Sequence, residues 1–206
     1  MHHQGERHGV AHRRLTRHPD RHRLFTPLGV ERVRIDLGSC RIREFVPEDA
    51  ESLARNADNP KIAEQLRDRF PHPYTISHAR EWIEQALARD PVSSFAIATT
   101  GKVIGGIGLE LQPDVYIRSA ELGYWLAESH WGRGIATRAV TCFSEKAFVA
   151  FDLVRIYARV FETNPASARV LEKAGFRFEG RLRMSVVKQG RLLDELLYSS
   201  IAPGRR

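Results

Sequence analysis

The chain of 206 residues is 42% hydrophobic and carries a formal net charge of +7, which allows one domain with a sizeable core. Its two cysteines, Cys40 and Cys142, lie far apart and exclude a disulfide framework and a cysteine-based zinc site. No apolar run approaches the roughly 20 residues of a membrane span and the N-terminus lacks the apolar core of a secretion signal, so we expect a cytoplasmic protein.

The first part of the chain, residues 1–30, is rich in arginine and histidine. Residues 1–39 carry a net charge of +4, and the rest of the chain carries +3. Six of the nine histidines lie within the first 22 residues at irregular spacing. We expect a disordered basic tail at residues 1–30, followed by a single domain at residues 31–206. A weak contact of the tail with RNA or the ribosome is the alternative role.

The first half of the domain mixes strand and helix patterns. Alternating residues predict a strand at Cys40–Phe45, and a helix starts at Pro47. A second helix is predicted from Asn59 to about Arg69. The two prolines of Phe70–Thr75 predict an irregular segment, after which a helix capped by Ser77 runs to about Arg89.

Two strands are predicted next, at Ser94–Thr99 and Val103–Leu111, joined by a Thr-Gly-Lys turn. The second strand contains the segment Gly-Gly-Ile-Gly at positions 105–108. A dinucleotide loop would need a helix directly after these glycines, and none is predicted. We therefore interpret them as close backbone packing or a bulge.

A strand at Glu121–Leu126 leads into the segment HWGRGIATRAV, where apolar residues take up helical spacing from Ile135 onward. Glycine is unfavourable inside a helix, so Gly132 and Gly134 are expected in the loop and first turn, where a ligand approaches closely. The unpaired N–H groups of a first turn attract anions, and Arg133 adds a cation. Because the lysine and hydroxyl of a P-loop are missing, a pyrophosphate without a metal fits better than ATP.

The end of the domain contains one more strand, a short helix and a hairpin. The strand is predicted at Arg155–Phe161. Asn164 is the expected N-cap of the helix, and Gly175 ends it. Two strands at about residues 176–187 and 192–201, joined by a Lys-Gln-Gly turn, form an antiparallel hairpin.

The segments ELGYWLAESHWGRGIATRAV and FETNPASARVLEKAGFRFEGRLR resemble the GCN5-related N-acetyltransferase (GNAT) superfamily, in particular its RimJ/RimL-type members. The similarity covers roughly residues 40–202. It implies an α/β fold in which a mixed, mostly antiparallel central sheet is flanked by helices. It also implies an enzyme that transfers acetyl from acetyl-CoA to a primary amine by direct attack, without a metal.

The resemblance also implies a set of cofactor-binding residues. The pyrophosphate of acetyl-CoA would bind main-chain N–H groups of the loop and helix start: Arg133, Gly134, Ile135, Ala136 and Thr137. Two central strands would splay apart, and the pantetheine arm would lie between them beside Trp125, Leu126 and Ala127. Trp131 departs from the first position of the family's loop pattern, as it commonly does in RimJ/RimL-like members.

Two residues match family positions close to the reacting acetyl group. Glu121 matches the strand glutamate that acts as general base, and the alternative is a partly buried carboxylate that only shapes the pocket. Asn164 matches the residue that faces the pantetheine or the acetyl group. Its alternative role is the helix cap alone, and the two roles are compatible.

The proton donor for the leaving thiolate differs from the usual pattern. Many family members carry a tyrosine seven residues after the asparagine, where this chain has Leu171. Ser167, matched to the serine of the RimL-like Asn-x-x-Ser pattern, is the substitute hydroxyl, with a local cap as the alternative. Tyr124 and Tyr157 are expected to be core or pocket residues.

The favoured acceptor is a protein N-terminal amine of the ribosomal-protein type. Alternatives are a small amine such as a polyamine, an amino acid or an aminoglycoside, or a non-catalytic acyl-CoA-binding or ribosome-associated module. The early helices, Phe70–Thr75, the turn Gln112–Ser119 and the final hairpin are expected to select the acceptor. Asp194 and Glu195 either hold a cationic acceptor or are solvated, and the oligomeric state is a monomer or a homodimer.

Overall fold

The computed structural model describes residues 33–204, so the predicted tail lies outside the described residues. The strands are β1 (Ile35–Asp36), β2 (Arg41–Arg43), β3 (Ser94–Thr99), β4 (Lys102–Leu111), β5 (Ser119–Leu126), β6 (Arg155–Phe161), β7 (Arg177–Lys188) and β8 (Arg191–Ile201). The helices are α1 (Ala50–Ala57), α2 (Pro60–Ala63), α3 (Ile76–Leu87), α4 (Ile135–Ala150) and α5 (Pro165–Lys173). In the described part of the chain, no helix is long and apolar enough to cross a membrane.

All eight strands form one sheet in the order β1-β2-β3-β4-β5-β6-β8-β7. Every neighbouring pair is antiparallel except β5 and β6, which are parallel. Helix α4 connects these two strands, as a parallel pair requires. The predicted mixed, mostly antiparallel α/β fold is therefore confirmed.

Two apolar clusters cover the two faces of the sheet. The larger cluster contains the inward residues of α4 and α5, among them Phe143 and Leu171, and packs against residues such as Ile156 of β6. The smaller cluster joins α1 and α3 to the sheet through residues such as Leu53 and Ile83. The apolar stripe of each helix and the apolar faces of the sheet must be buried against each other. The result is a three-layer arrangement, with the sheet between two layers of helices.

Several elements begin and end where the sequence predicts. Strands β3 and β6 occupy the predicted residues, and α4 starts at Ile135. The Oδ1 atom of Asn164 accepts a hydrogen bond from the Ser167 N–H at 3.0 Å, so Asn164 is the N-cap of α5. The final hairpin is antiparallel, with its turn at Gln189 and Gly190.

The glycines of β4 lie against neighbouring backbone, as predicted. A Cβ at Gly105 would collide with the Trp125 carbonyl oxygen, and one at Gly108 would come within 2.7 Å of the Ser93 carbonyl oxygen. The pairing of β3 with β4 also shifts register at Ile97. Close packing and a bulge are both present.

Two local predictions are wrong, and one strand, β1, was not predicted. The second helix ends at Ala63 rather than near Arg69, because residues 64–70 form turns whose polar groups bind distant parts of the chain. Thr75, not Ser77, caps α3: its Oγ1 accepts from the N–H of His78 at 3.3 Å. Strand β1 is only two residues long, too short for a periodicity signal.

Replacing Asp49 by alanine is expected to destabilise the protein by about 3 kcal/mol. Asp49 is 3% exposed, and it pairs with Arg43 through two hydrogen bonds of 2.6 and 2.8 Å. Hydrogen bonding to Asp49 raises the pKa of Arg43. A guanidinium keeps its charge at neutral pH without any partner, so the substitution would leave an unpaired charge at Arg43. Urea unfolding measures the loss. The exposed neighbour Glu48 is the control: Glu48→Ala should cost less than 1 kcal/mol, and equal losses would contradict the expectation.

Candidate active site

A cleft opens where β5 and β6 separate. Their parallel pairing covers only Ser119–Glu121 against Arg155–Tyr157. Beyond these residues the two strands line opposite sides of a cleft of about 340 Å³. Strands β3 and β4, the segment after α2, helix α3 and the start of α5 also line it. The splayed strands predicted from the resemblance are present.

The structure brings part of the predicted site into this cleft. Glu121, Trp125, Asn164 and Ser167 line it. Leu126, Ala127 and the residues Arg133–Thr137 do not line it; they form the continuation of β5 and the start of α4. The predicted site therefore extends along β5. Glu121 and Trp125 of β5, with Asn164 and Ser167 at the start of α5, line the cleft, and the glycine loop lies beyond the end of β5.

Strand β5 directs its main-chain groups alternately to its two neighbours. Ala127 N–H donates to the Ile104 carbonyl oxygen of β4 at 2.8 Å. By alternation, the main-chain groups of Trp125 also point to β4, and those of Leu126 point to the β6 side. The Leu126 carbonyl oxygen accepts from the Trp131 indole N–H at 2.7 Å, which ties the glycine loop to the end of β5.

The glycine loop has a backbone that other residues adopt with difficulty. Gly132 and Gly134 have φ angles of +74° and +73°, in the left-handed region that strains residues with a Cβ. A Cβ at either position would meet no heavy atom within 4 Å. Gly134 is the N-cap of the 16-residue helix α4, whose first-turn N–H groups have no intrahelical acceptors. The loop thus combines open space with unpaired donors at a helix N-terminus.

Glu121 is paired with a cation that sequence analysis did not identify. Arg67, from the segment after α2, forms an ion pair with Glu121 and lies 3.4 Å from Glu110. Burial opposes the charge of Arg67, but its hydrogen bond and attraction to Glu121 prevail and raise the pKa of the guanidinium. Glu110 lies directly opposite Glu121 in the register of β4 and β5. One cation therefore connects two carboxylates in the wall of the cleft.

The segment that carries Arg67 is held by the final hairpin. The ammonium group of Lys188, at the end of β7, donates to the Leu66 carbonyl oxygen and to Asp68 Oδ1, both at 2.7 Å. The Lys188 side chain is only 10% exposed. Its contact satisfies a carbonyl group that a longer α2 would have bonded internally, which explains why the predicted helix ends early.

A pair of hydroxyl groups lies at the start of α5. Tyr124 Oη is 2.7 Å from Ser167 Oγ, and it also donates to the Ser167 carbonyl oxygen at 3.2 Å. Burial raises the pKa of Tyr124 to about 12. Leu171, at the position of the usual tyrosine, is fully buried in the core. The hydroxyl groups in this wall therefore come from Ser167 and Tyr124.

An aromatic group forms the opposite wall. The Phe70 ring lies 4.9 Å from the Tyr74 ring and 5.7 Å from the Trp125 ring, centroid to centroid. All three residues line the cleft and also pack in or against the smaller apolar cluster.

The two acidic residues of the last hairpin differ in position. Glu195 is 5% exposed, lines the cleft and accepts from Ser185 Oγ at 3.2 Å. Asp194 instead pairs with Arg181 and accepts from the Met184 N–H at 2.7 Å. Of the two, only Glu195 lines the cleft. The turn Gln112–Ser119 contributes no residue to the cleft lining, contrary to expectation.

No signal in the sequence identifies Arg67 or Lys188 as site residues, because each acts through a partner far along the chain. Tyr124 lies within the segment ELGYWL, whose alternating pattern predicts strand β5. That pattern was the sequence signal by which Tyr124 could be identified as a site residue. Within residues 33–204, no group of three or more potential ligands is suited to a metal ion.

The chain matches the Acetyltransferase (GNAT) domain family over residues 40–177. It is 38% identical over 176 residues to the uncharacterized N-acetyltransferase YoaA of Bacillus subtilis, covering 79% of this chain and 93% of YoaA. It is 33% identical over 84 residues to the ribosomal-protein-serine acetyltransferase of Escherichia coli, covering 41% of this chain and 47% of that protein.

Among solved structures, RimJ of Mycobacterium smegmatis in complex with CoA-disulfide is similar, with a TM-score of 0.70 and 28% identity. The match covers 79% of this chain and 82% of RimJ. The resemblance stated from the sequence is confirmed by both kinds of comparison.

Proposed function

The chain belongs to the GNAT acetyltransferase family, and on this premise we propose that it transfers acetyl from acetyl-CoA to the α-amine of a protein N-terminus. Membership in the family makes it an N-acetyltransferase. The observation that carries the proposal is the separation of β5 from β6, because it opens a cleft lined by Glu121, Asn164 and Ser167.

The residues present fit acetyl-CoA. The glycine loop has free space beside Gly132 and Gly134 and unpaired N–H groups at the start of α4, which suits a pyrophosphate. Arg133 to Thr137 would supply those N–H groups and one cation. The Leu126 N–H faces the gap where the pantetheine arm would lie, the Leu126 carbonyl oxygen being bonded to Trp131, and Trp125 and Ala127 flank it.

Acetyl-CoA supplies an acetyl thioester, whose transfer needs a neutral amine, a polarised carbonyl group and a proton for the leaving sulfur. Glu121 is the proposed general base, directly or through water. The amide group of Asn164 is proposed to hydrogen-bond the acetyl or pantetheine carbonyl group, since its Oδ1 already caps α5. Ser167 is proposed as the proton donor to the sulfur.

Support for an α-amine acceptor comes from chemistry and from the relatives. A peptide α-amine has a reference pKa near 8, so a carboxylate base has less to do than with lysine, near 10.4. The E. coli relative is named a ribosomal-protein-serine acetyltransferase, so the acceptor of that relative is a protein. The Glu195 carboxylate in the cleft also suits the positive charge of an arriving amine, whereas Glu110 and Glu121 are already paired with Arg67.

An RNA-binding role and a purely cofactor-binding role each differ from this function in a measurable property. Binding of RNA through the arginine-rich residues 1–30 would be salt-sensitive and lost on their deletion. A non-catalytic acyl-CoA-binding protein would bind acetyl-CoA but acetylate no amine.

Both cysteines are free thiols, which suits the proposed location in the reducing cytoplasm.

A calorimetric titration with acetyl-CoA, with ATP and NAD as controls, is the first test of the proposed cofactor. We expect micromolar affinity for acetyl-CoA, about −8 kcal/mol, and none for the controls. A folded sample that does not bind acetyl-CoA would overturn the proposal.

Turnover of short peptides then tests the acceptor. Peptides with a free N-terminus should be acetylated, whereas the same peptides with a blocked N-terminus should not, even when they contain lysine. Preferential turnover of spermidine or an aminoglycoside would shift the assignment to a small amine.

A further inference from the structure

The start of α5 holds Ser167 from two sides. Its backbone N–H donates to Asn164 Oδ1 at 3.0 Å, and its Oγ lies 2.7 Å from Tyr124 Oη. The aromatic ring of Tyr124 is packed against the larger apolar cluster, so the hydroxyl is presented at one position on a rigid strand. Ser167 and Tyr124 both line the cleft between β5 and β6.

The hydroxyl hydrogens of this pair have two arrangements. Tyr124 can donate to the Ser167 carbonyl oxygen at 3.2 Å while Ser167 donates to Tyr124, or Tyr124 can donate to Ser167 Oγ at 2.7 Å. Only the second arrangement frees the Ser167 hydrogen for a ligand. A negative charge in the cleft favours this arrangement, because a hydroxyl that accepts one hydrogen bond is a stronger donor in the next.

We propose that Tyr124 is a positioning residue that turns the Ser167 hydroxyl toward the leaving sulfur and strengthens its hydrogen bond. This assignment rests on the proposed function, in which Ser167 contacts the sulfur. Tyr124 supplies a tyrosine hydroxyl from β5. Position 171 in α5, where many family members carry a tyrosine, is a buried leucine in this chain. The phenol stays protonated at neutral pH and therefore remains a donor, since burial raises its pKa to about 12.

The reaction is balanced without a net change in the hydroxyl pair. The C–S bond breaks with its electron pair on sulfur while the C–N bond forms, and Ser167 hydrogen-bonds the developing thiolate. Glu121, the proposed base, takes the proton that the amine loses and releases it to solvent; the sulfur takes a proton from Ser167, which regains one from solvent. Tyr124 and Ser167 finish the turnover protonated, as they began.

Tyr124→Phe, Ser167→Ala and the double variant test the proposal. Each single variant should lower kcat with acetyl-CoA by about tenfold or more and change its KM by less than about twofold. The double variant should be no slower than Ser167→Ala, because Tyr124 acts only through Ser167. Tyr198→Phe, which removes a hydrogen-bonded phenol from the larger apolar cluster outside the cleft lining, is the matched control and should keep wild-type activity.

The selenoester analogue of acetyl-CoA separates this role from a structural one. Its selenol is ionised at neutral pH and leaves without help, so the single variants should then match the wild type. An equal loss with both donors, or a double variant slower by the product of the two single losses, would overturn the assignment.

A binding measurement gives a readout independent of turnover. The pKa of the thiol of bound CoA, from the pH dependence of its affinity and thiolate absorbance, should be higher in Tyr124→Phe and Ser167→Ala than in the wild type. Ser167→Ala also covers the case in which Tyr124→Phe does not fold. An unchanged thiol pKa would overturn the proposal, whereas a wild type without acetyl-CoA binding would overturn the proposed function instead.

Discussion

Replacing Gly134 by alanine is expected to weaken acetyl-CoA binding by at least about tenfold, or about 1.4 kcal/mol. Gly134 has a φ of +73°, where a Cβ strains the backbone by about 1–2 kcal/mol. The same Cβ would occupy space that is open at the N-cap of α4, where the pyrophosphate is proposed to bind. Calorimetric titration of the variant and the wild type measures the difference.

Gly101→Ala is the matched control for this prediction. Gly101 has the same φ of +73° and the same free space around an added Cβ, but it lies in the turn between β3 and β4. Both variants should lose similar stability in urea unfolding, and only Gly134→Ala should lose affinity. Wild-type affinity in Gly134→Ala would contradict the assignment of the loop.

Glu121→Gln is expected to lower turnover of an N-terminal peptide by about a hundredfold at neutral pH, because the amide cannot accept the proton of the amine. The loss should be larger at about pH 6, where an α-amine with a reference pKa near 8 is mostly protonated. It should shrink above about pH 8, where the free amine needs no base. The affinity for acetyl-CoA should stay within about twofold of the wild type. The pH profile of kcat/KM, together with a calorimetric titration, checks these expectations.

Two further variants distinguish a base from a carboxylate that only holds Arg67. Glu110→Gln removes the cross-strand neighbour, which also binds Arg69 at 3.0 Å, and should have a small effect without the pH signature. Arg67→Met should not reproduce the Glu121→Gln loss at low pH. If Arg67→Met and Glu121→Gln have the same profile, Glu121 is a structural residue.

Much of the local structure was predictable because it depends on neighbouring residues. The ends of β3 and β6 and the cap at Asn164 agree with prediction, since turn residues and side-chain caps act within about four residues of the chain. The same locality explains the glycine loop, in which strand, glycines and helix follow one another directly.

Other features required the tertiary structure. Arg67 is 54 residues from Glu121, and Lys188 is 122 residues from Leu66. These contacts ended α2 before its predicted length and placed a cation against the proposed base. Ionic and hydrogen-bonded pairs at such separations leave no periodic pattern in the sequence.

The sequence by itself determined the family, the order of elements and the position of Glu121, Asn164, Ser167 and the glycine loop. The resemblance also predicted that two central strands splay apart. Only the tertiary structure decided that their pairing ends at Glu121, that Tyr124 reaches Ser167 and that Glu195 is buried in the same cleft. The physical reason is that hydrophobic periodicity specifies which face of an element is buried, whereas the packing of the whole sheet decides which side chains meet there.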